Sequence, residues 1–261
     1  MPSRPHTLRV ESVVLRHSDW GEADRLLTIF SREQGKLRCV AKGARKLLSR
    51  KAGHLEPFTR VALLLARGTD LWIVTQAETV DAYIRLREDL ERTATAAYVV
   101  ELLDRFTYEE GESFHLYQLL VDTLHRISTE EQDLFLAVRY YEIHLLDILG
   151  FKPELFRCVR CREEIKPENQ FFSVLLGGVV CPRDGPGVED ARPISILALK
   201  YLRHLQRSTY AEAKKAAPAP PVQFEMEGLL SYYITFLLER NLNSPGFLRE
   251  VKRNKSVPSK T

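Results

Sequence analysis

The chain has 261 residues, 44% of them hydrophobic, and a formal net charge of +3. That length exceeds what one compact core usually supports, so two or three modules are expected. Four cysteines are too few for a disulfide scaffold, and the longest apolar stretches, such as Val61–Ala66, are far too short for a bilayer span. The start, Met1-Pro-Ser-Arg-Pro-His6, lacks the apolar core of a signal peptide, so the expectation is a soluble cytoplasmic protein with no membrane partner.

The small net charge hides a strong segregation. Residues 1–80 carry 14 basic and 8 acidic groups, residues 81–150 carry 6 and 15, and residues 151–261 carry 18 and 12. Such asymmetry points to more than one functional surface.

The first 80 residues alternate between short β-like runs and turn signals. Strands are predicted over Leu8–Arg16, Arg25–Phe30, Lys36–Ala41, Phe58–Ala66 and Leu71–Thr79, with glycines at 21, 35, 43, 53 and 68 between them. Five closely spaced strands without a long helix suggest a small closed barrel, of the five-stranded OB type or, nearly as well, an SH3-like one. Trp20, Phe30, Phe58 and Trp72 are read as barrel core.

The third of these strands carries the strongest functional signal. Leu37, Cys39 and Ala41 share one face; Lys36, Arg38, Val40 and Lys42 share the other. Arg45, Lys46, Arg50 and Lys51 follow before any acid appears. From Arg32 to Arg60 there are nine Lys and Arg residues against two acids, a charge of +7. A basic face feeding a basic loop suits a polyanion backbone, because phosphates attract point charges whatever bases they carry. The candidate DNA-binding residues are Lys36, Arg38, Lys42, Arg45, Lys46, Arg50 and Lys51. A solvated edge strand guarded by lysines is the plainer reading.

After about Tyr83 the pattern turns helical. Apolar stripes run through Tyr98, Leu102, Leu103 and Phe106, then Leu116, Leu119, Leu120, Leu124 and Ile127. A third runs through Leu134, Val138, Tyr141, Leu145 and Leu149, closed by Gly150 with Pro153 beyond. A last helix is predicted through Met226, Leu229, Leu230, Tyr233 and Leu237. These stripes read as bundle core. Residues 213–222 read as an exposed linker, and the end from Lys252 to Thr261 as a disordered basic tail.

Cys158-Val-Arg-Cys161 is a CxxC knuckle, and after nineteen intervening residues comes Cys181-Pro-Arg-Asp184. Two such knuckles bring four ligands together tetrahedrally in a structural zinc ribbon, so Cys158, Cys161, Cys181 and Asp184 are the candidate ligands of a structural zinc. Aspartate is a rarer and weaker fourth ligand than cysteine. The alternative is a pair of turns that hold no metal. Cys39, among apolar neighbours, reads as a small buried hydrophobe.

Catalytic signatures are missing: there is no P-loop, GxGxxG after a strand, HExxH or GxSxG. The seven histidines are scattered, and Glu109-Glu-Gly-Glu112 reads as a solvated loop. Glu164-Ile-Lys166 is half of a metal-nuclease pattern without its acidic partner. No catalytic residue is assigned, and a binding protein is favoured over an enzyme.

Together these features predict an α+β protein: an N-terminal five-stranded β-barrel, of the OB-fold or the SH3-like kind, followed by an α-helical domain with an inserted zinc-ribbon-like motif. The boundaries read as a barrel over 1–81, helices over 82–152 and 190–250, an insertion over 153–189 and a tail over 251–261.

In this order the features resemble the RecO family of bacterial recombination mediators. The likeness is carried by Gly21-Glu-Ala-Asp-Arg-Leu-Leu-Thr-Ile-Phe30, Gly35-Lys-Leu-Arg38, Ala41-Lys-Gly-Ala-Arg45, Leu55-Glu-Pro-Phe58 and Leu238-Glu-Arg-Asn-Leu-Asn-Ser-Pro-Gly-Phe-Leu248. The resemblance implies that the barrel is an OB-fold that binds single- and double-stranded DNA, in a protein that anneals complementary strands. It also implies partners: RecR, the C-terminal tail of the single-strand-binding protein SSB, and, indirectly, RecA, which it helps to load. Family members with a zinc finger usually have four cysteines, where this chain has Asp184 in the fourth place. Rival readings are an RNA-binding OB/zinc-ribbon protein tied to translation and a metal-dependent nuclease.

Overall fold

Alternation of apolar and polar residues organises the N-terminal part of the structure, a computed structural model that describes residues 6–108, 114–129 and 134–238. The acidic run at 109–112, the family-like ending at 239–248 and the basic tail lie outside the described residues. The chain divides into two compact units, one holding the described residues through 129 and the other those from 134 to 238.

In the first unit five strands, β1 (Thr7–Trp20), β2 (Asp24–Ser31), β3 (Gly35–Ala41), β4 (Arg60–Arg67) and β5 (Trp72–Asp81), close into a barrel in the order β1-β2-β3-β5-β4. Four of the pairings are antiparallel. The fifth, between β3 and β5, is parallel through Cys39–Trp72 and Val40–Ile73. That parallel closure gives the OB-like arrangement and sets it apart from a chain of hairpins, in which every neighbour would run antiparallel. A register shift between Val14 and Arg16 bends β1, which pairs with β4 along its first half and with β2 along its second.

Every second residue fills the interior: Val10 and Val14, Leu27 and Ile29, Leu37, Cys39 and Ala41, Val61, Leu63 and Leu65, and Val74. The outer surface is not uniformly wet. Val13 and Phe30 are cross-strand partners outside that interior cluster, yet they are 0% and 1% exposed. Phe30 is thus buried on the outside of the barrel.

Three helices complete this unit: α1 (Arg85–Glu88), α2 (Leu90–Phe106) and α3 (Phe114–Thr129). The Asp89 side chain caps α2 by accepting from the backbone N–H of Glu91 at 2.8 Å and of Arg92 at 3.0 Å. The Glu11 carboxylate on β1 accepts from Tyr117 on α3 at 2.9 Å and from Arg60 Nε on β4 at 2.7 Å, so one acid ties helix to barrel. These helices fall in the compact unit of the barrel, whereas the sequence pattern groups everything from 82 with the later helices.

The second unit contains α4 (Leu134–Ile148), a three-stranded sheet in the order β7-β6-β8, and three more helices. The strands are β6 (Gln170–Ser173), β7 (Gly178–Val180) and β8 (Arg192–Ile194); the helices are α5 (Ile196–Arg207), α6 (Tyr210–Ala213) and α7 (Pro220–Leu238). Ser195 caps α5 and its hydroxyl donates to Glu225 of α7 at 2.6 Å, which places a carboxylate at the positive end of the α5 dipole. The expected linker over 213–222 is shorter than the composition suggests. Ala213 is fully buried, and Pro220 and Pro221 open α7, where a missing N–H costs no helical bond.

Candidate nucleic-acid interface and metal centre

The basic residues of β3 and its loop do not all end in one place. Lys36 points outward from the barrel, but its side chain is only 14% exposed. Its ammonium lies 2.6 Å from the Asp104 carboxylate and donates to the backbone carbonyls of Asp104 at 2.6 Å and Thr107 at 3.1 Å. A cation at the C-terminal end of α2 satisfies carbonyls that have no helical partner and complements the helix dipole. Arg16 reaches the same carboxylate at 3.1 Å. Burial raises the Asp104 pKa, but the bonds and charges of Lys36 and Arg16 outweigh it and hold the carboxyl below its ordinary value. Lys36 therefore ties α2 to the barrel. Arg38, two residues on, is exposed.

Beyond β3 the chain enters a loop fixed at several points. Gly43, at φ +65°, turns the chain, and its N–H donates to Asp24 Oδ1 at 2.7 Å. Ala44 enters the barrel interior at 1% exposure. The Arg45 N–H donates to the Ala23 carbonyl at 2.9 Å; its guanidinium meets the Gly21 and Glu22 carbonyls and pairs with Asp19 at 3.1 Å. At the far side the Lys51 ammonium donates to the Val74 carbonyl at 3.1 Å, and Leu55 is fully buried. Below the loop, Glu56 accepts from Arg25 at 2.8 Å, with His17 at 3.4 Å. Burial raises the Glu56 pKa, but those two partners more than offset it and lower it below the ordinary carboxylate value.

Lys42, Arg45, Lys46 and Arg50 are thereby gathered, exposed, along one short anchored loop, with Lys51 half-buried at its end. The Arg45–Asp19 pair is solvent-exposed and so worth little, which leaves Arg45 able to exchange its partner for a phosphate. Trp20, expected in the core, is 49% exposed at the end of β1, beside the hairpin that Arg45 clasps. Leu47 and Leu48, at 100% and 92%, are the most exposed large hydrophobic residues among those described. The sequence signal for Trp20 is its place next to Gly21, where a strand ends in a turn.

The two knuckles meet. Ligand atoms of Cys158, Cys161, Cys181 and Asp184 all lie within 4.8 Å of one another, with Cys161 Sγ and Cys181 Sγ 3.9 Å apart and Cys158 Sγ 3.7 Å from Asp184 Oδ2. Tetrahedral zinc with Zn–S bonds of about 2.3 Å sets sulfurs about 3.8 Å apart, so the edges fit. Each knuckle folds on itself: the Arg162 N–H donates to the Cys158 carbonyl at 2.8 Å, with Arg162 at φ +68°, and the Gly185 N–H donates to the Cys181 carbonyl at 2.9 Å. Burial raises the Cys158 pKa, but backbone N–H groups of Cys161 and Cys181 aimed at its sulfur prevail and lower it, which favours the thiolate a metal requires. A Cβ on Gly185 would lie 2.2 Å from the Phe171 ring, so only glycine fits where the second knuckle crosses β6.

Among the described residues this cluster is the one group of three or more His, Cys, Asp and Glu side chains placed to share a cation. Cys39 stands apart, fully buried in the barrel, its thiol pushed up to about 12 by burial. No described helix is long and apolar enough to cross a membrane.

Comparison with known proteins adds a family. A sequence model described as "Recombination protein O N terminal" matches residues 6–83, and one described as "Recombination protein O C terminal" matches residues 87–245. Several curated proteins, each named DNA repair protein RecO, are similar along nearly their whole length. The protein of Roseiflexus sp. is 42% identical over 251 residues, 96% of this chain and 88% of its own. That of Symbiobacterium thermophilum is 34% identical over 241 residues, covering 92% and 95%. That of Dehalococcoides mccartyi strain 195 is 33% identical over 238 residues, covering 91% and 93%.

Proposed function

The chain belongs to the RecO family of DNA repair proteins, and on that footing we propose that it is a DNA-binding recombination mediator rather than an enzyme. It anneals complementary single strands and, with RecR, helps RecA to load on strands coated with SSB. The observation that carries this reading is the anchored basic loop on a closed OB-like barrel. Lys42, Arg45, Lys46 and Arg50 stand exposed on a loop fixed by Ala44 and Lys51, so the charges are held in position before a strand arrives. Arg38 and Lys51 flank them. Phosphate contacts of this kind bind strands without regard to sequence, as annealing of arbitrary complements demands.

In this reading the barrel of residues 1–81 binds DNA, helices drawn from 82–152 and from 190–250 meet protein partners, 153–189 is a metal-stiffened insertion and 251–261 a basic tail. Zinc held by Cys158, Cys161, Cys181 and Asp184 would supply a structural cross-link between the knuckles. The working location is the cytoplasm, with the DNA.

The test is an incubation with labelled complementary DNA strands, with and without SSB. Faster annealing with intact products is expected, on bare and on coated strands. Cleaved products would replace this reading with a nuclease. Binding to RNA without binding to DNA would replace it with an RNA-associated role.

A further inference from the structure

The anchored loop ends in a turn whose tip is apolar. The Ser49 N–H donates to the Lys46 carbonyl at 2.9 Å, which makes Leu47 and Leu48 the two central residues of a tight turn. A turn of this kind drives its central side chains outward, and both leucines stand free of the protein at 100% and 92% exposure. The chain on either side is anchored to the barrel. Ala44 is locked in the barrel interior, the Arg45 N–H is bonded to Ala23, and Lys51 is bonded to Val74.

Charge decides what can cover such a tip. Lys42, Arg45 and Lys46 precede the leucines, and Arg50 and Lys51 follow them, with no acid between Lys42 and Lys51. A partner that buries Leu47 and Leu48 must therefore bring negative charge to both sides of an apolar centre. A nucleic-acid strand has that pattern, with phosphates flanking the faces of its bases. Leucine is among the apolar side chains that proteins insert between base steps. An anionic lipid surface shares the sign of charge, but two leucines offer little apolar area for an interfacial anchor.

We propose that Leu47 and Leu48 form a wedge that inserts between neighbouring bases of single-stranded DNA while the surrounding cations hold its phosphates. The proposal rests on the DNA-binding reading above and specifies how the same loop would act. Insertion requires bases to be unstacked, and this costs least where no complement holds them. The wedge would thus favour single strands and fork ends over blunt duplex. By keeping bases apart it would also leave their pairing edges open to a complementary strand.

The experiment compares the full chain with the double variant Leu47→Ser, Leu48→Ser and with Arg45→Ala, Lys46→Ala, Arg50→Ala, Lys51→Ala. The probes are an oligonucleotide carrying 2-aminopurine, which brightens on unstacking, a blunt duplex, and anionic phosphatidylserine vesicles. For the leucine variant we expect roughly tenfold weaker single-strand binding, the size of one lost base contact. The fluorescence rise should disappear, while the dependence of binding on salt stays as in the parent. Unchanged single-strand affinity and fluorescence would overturn the wedge. So would vesicle binding by the parent that the leucine variant loses while its DNA binding is intact. If the charge variant also binds DNA like the parent, the DNA-binding role of the loop fails; if that variant alone is weakened, only the wedge fails.

Discussion

The Lys36 ammonium lies 2.6 Å from the carboxylate of Asp104, a residue 68 positions later in the chain, at the C-terminal end of α2. One of the seven basic residues singled out by sequence is thereby committed to holding a helix to the barrel. Lys36→Ala should destabilise the protein by about 1–3 kcal/mol, since it leaves a partly buried carboxylate with Arg16 alone. The salt dependence of DNA binding should hardly change. Urea denaturation and a salt titration of the same variant check both halves, and a flatter salt slope at unchanged stability would return Lys36 to the DNA interface.

The loop cations should behave differently. Removing Arg45, Lys46, Arg50 and Lys51 together should flatten the slope of log K against log[salt] by about two units on single strands. Each lost phosphate contact is worth roughly 0.7, and the Lys51 ammonium is already bonded to Val74. The near-UV circular dichroism spectrum should stay that of the parent. Annealing should slow in proportion to the lost affinity.

Metal content is testable by elemental analysis of protein purified without chelator. About one zinc per chain is expected. Asp184→Cys should bind it more tightly, because thiolate is the softer ligand, and Asp184→Ala more weakly. Less than about a tenth of an equivalent in the parent would show that the knuckles persist as turns without metal. Gly185→Ala should lower zinc retention as well, since its new Cβ would collide with Phe171.

Acid should weaken the first compact unit through its paired carboxylates. In Asp104, Glu56 and Glu11, burial raises the pKa but the cationic and hydrogen-bonding partners prevail, so the folded values lie below the unfolded ones. The unfolded chain therefore binds more protons in acid than the folded chain does. The stabilisation is fully present above the unfolded carboxylate values near 4 and is lost as pH falls through the lower folded values. Urea midpoints should hold steady from pH 7 to about 5 and then fall. Glu56→Gln should make that fall shallower; an equally steep fall would remove Glu56 from the account.

Much of this was legible in the sequence because it is local. Alternation at Leu37, Cys39 and Ala41, or at Leu27 and Ile29, states which side of a strand is apolar, and that side became the barrel interior. The spacing of Cys158, Cys161, Cys181 and Asp184 states that two turns can share an ion, and the four residues came together. Other features depend on what packs against what. The parallel pairing of Cys39 with Trp72 that closes the barrel joins strands separated by a long loop and the whole of β4, and nothing in either strand names its partner. Phe30 was legible as buried but not as buried on the outside, because alternation cannot say which outer positions another element covers. The same gap hid the partner of Lys36 and the exposure of Trp20, Leu47 and Leu48. A side chain's own chemistry decides what it can do; its neighbours in space, distant in sequence, decide whether it is left free to do it.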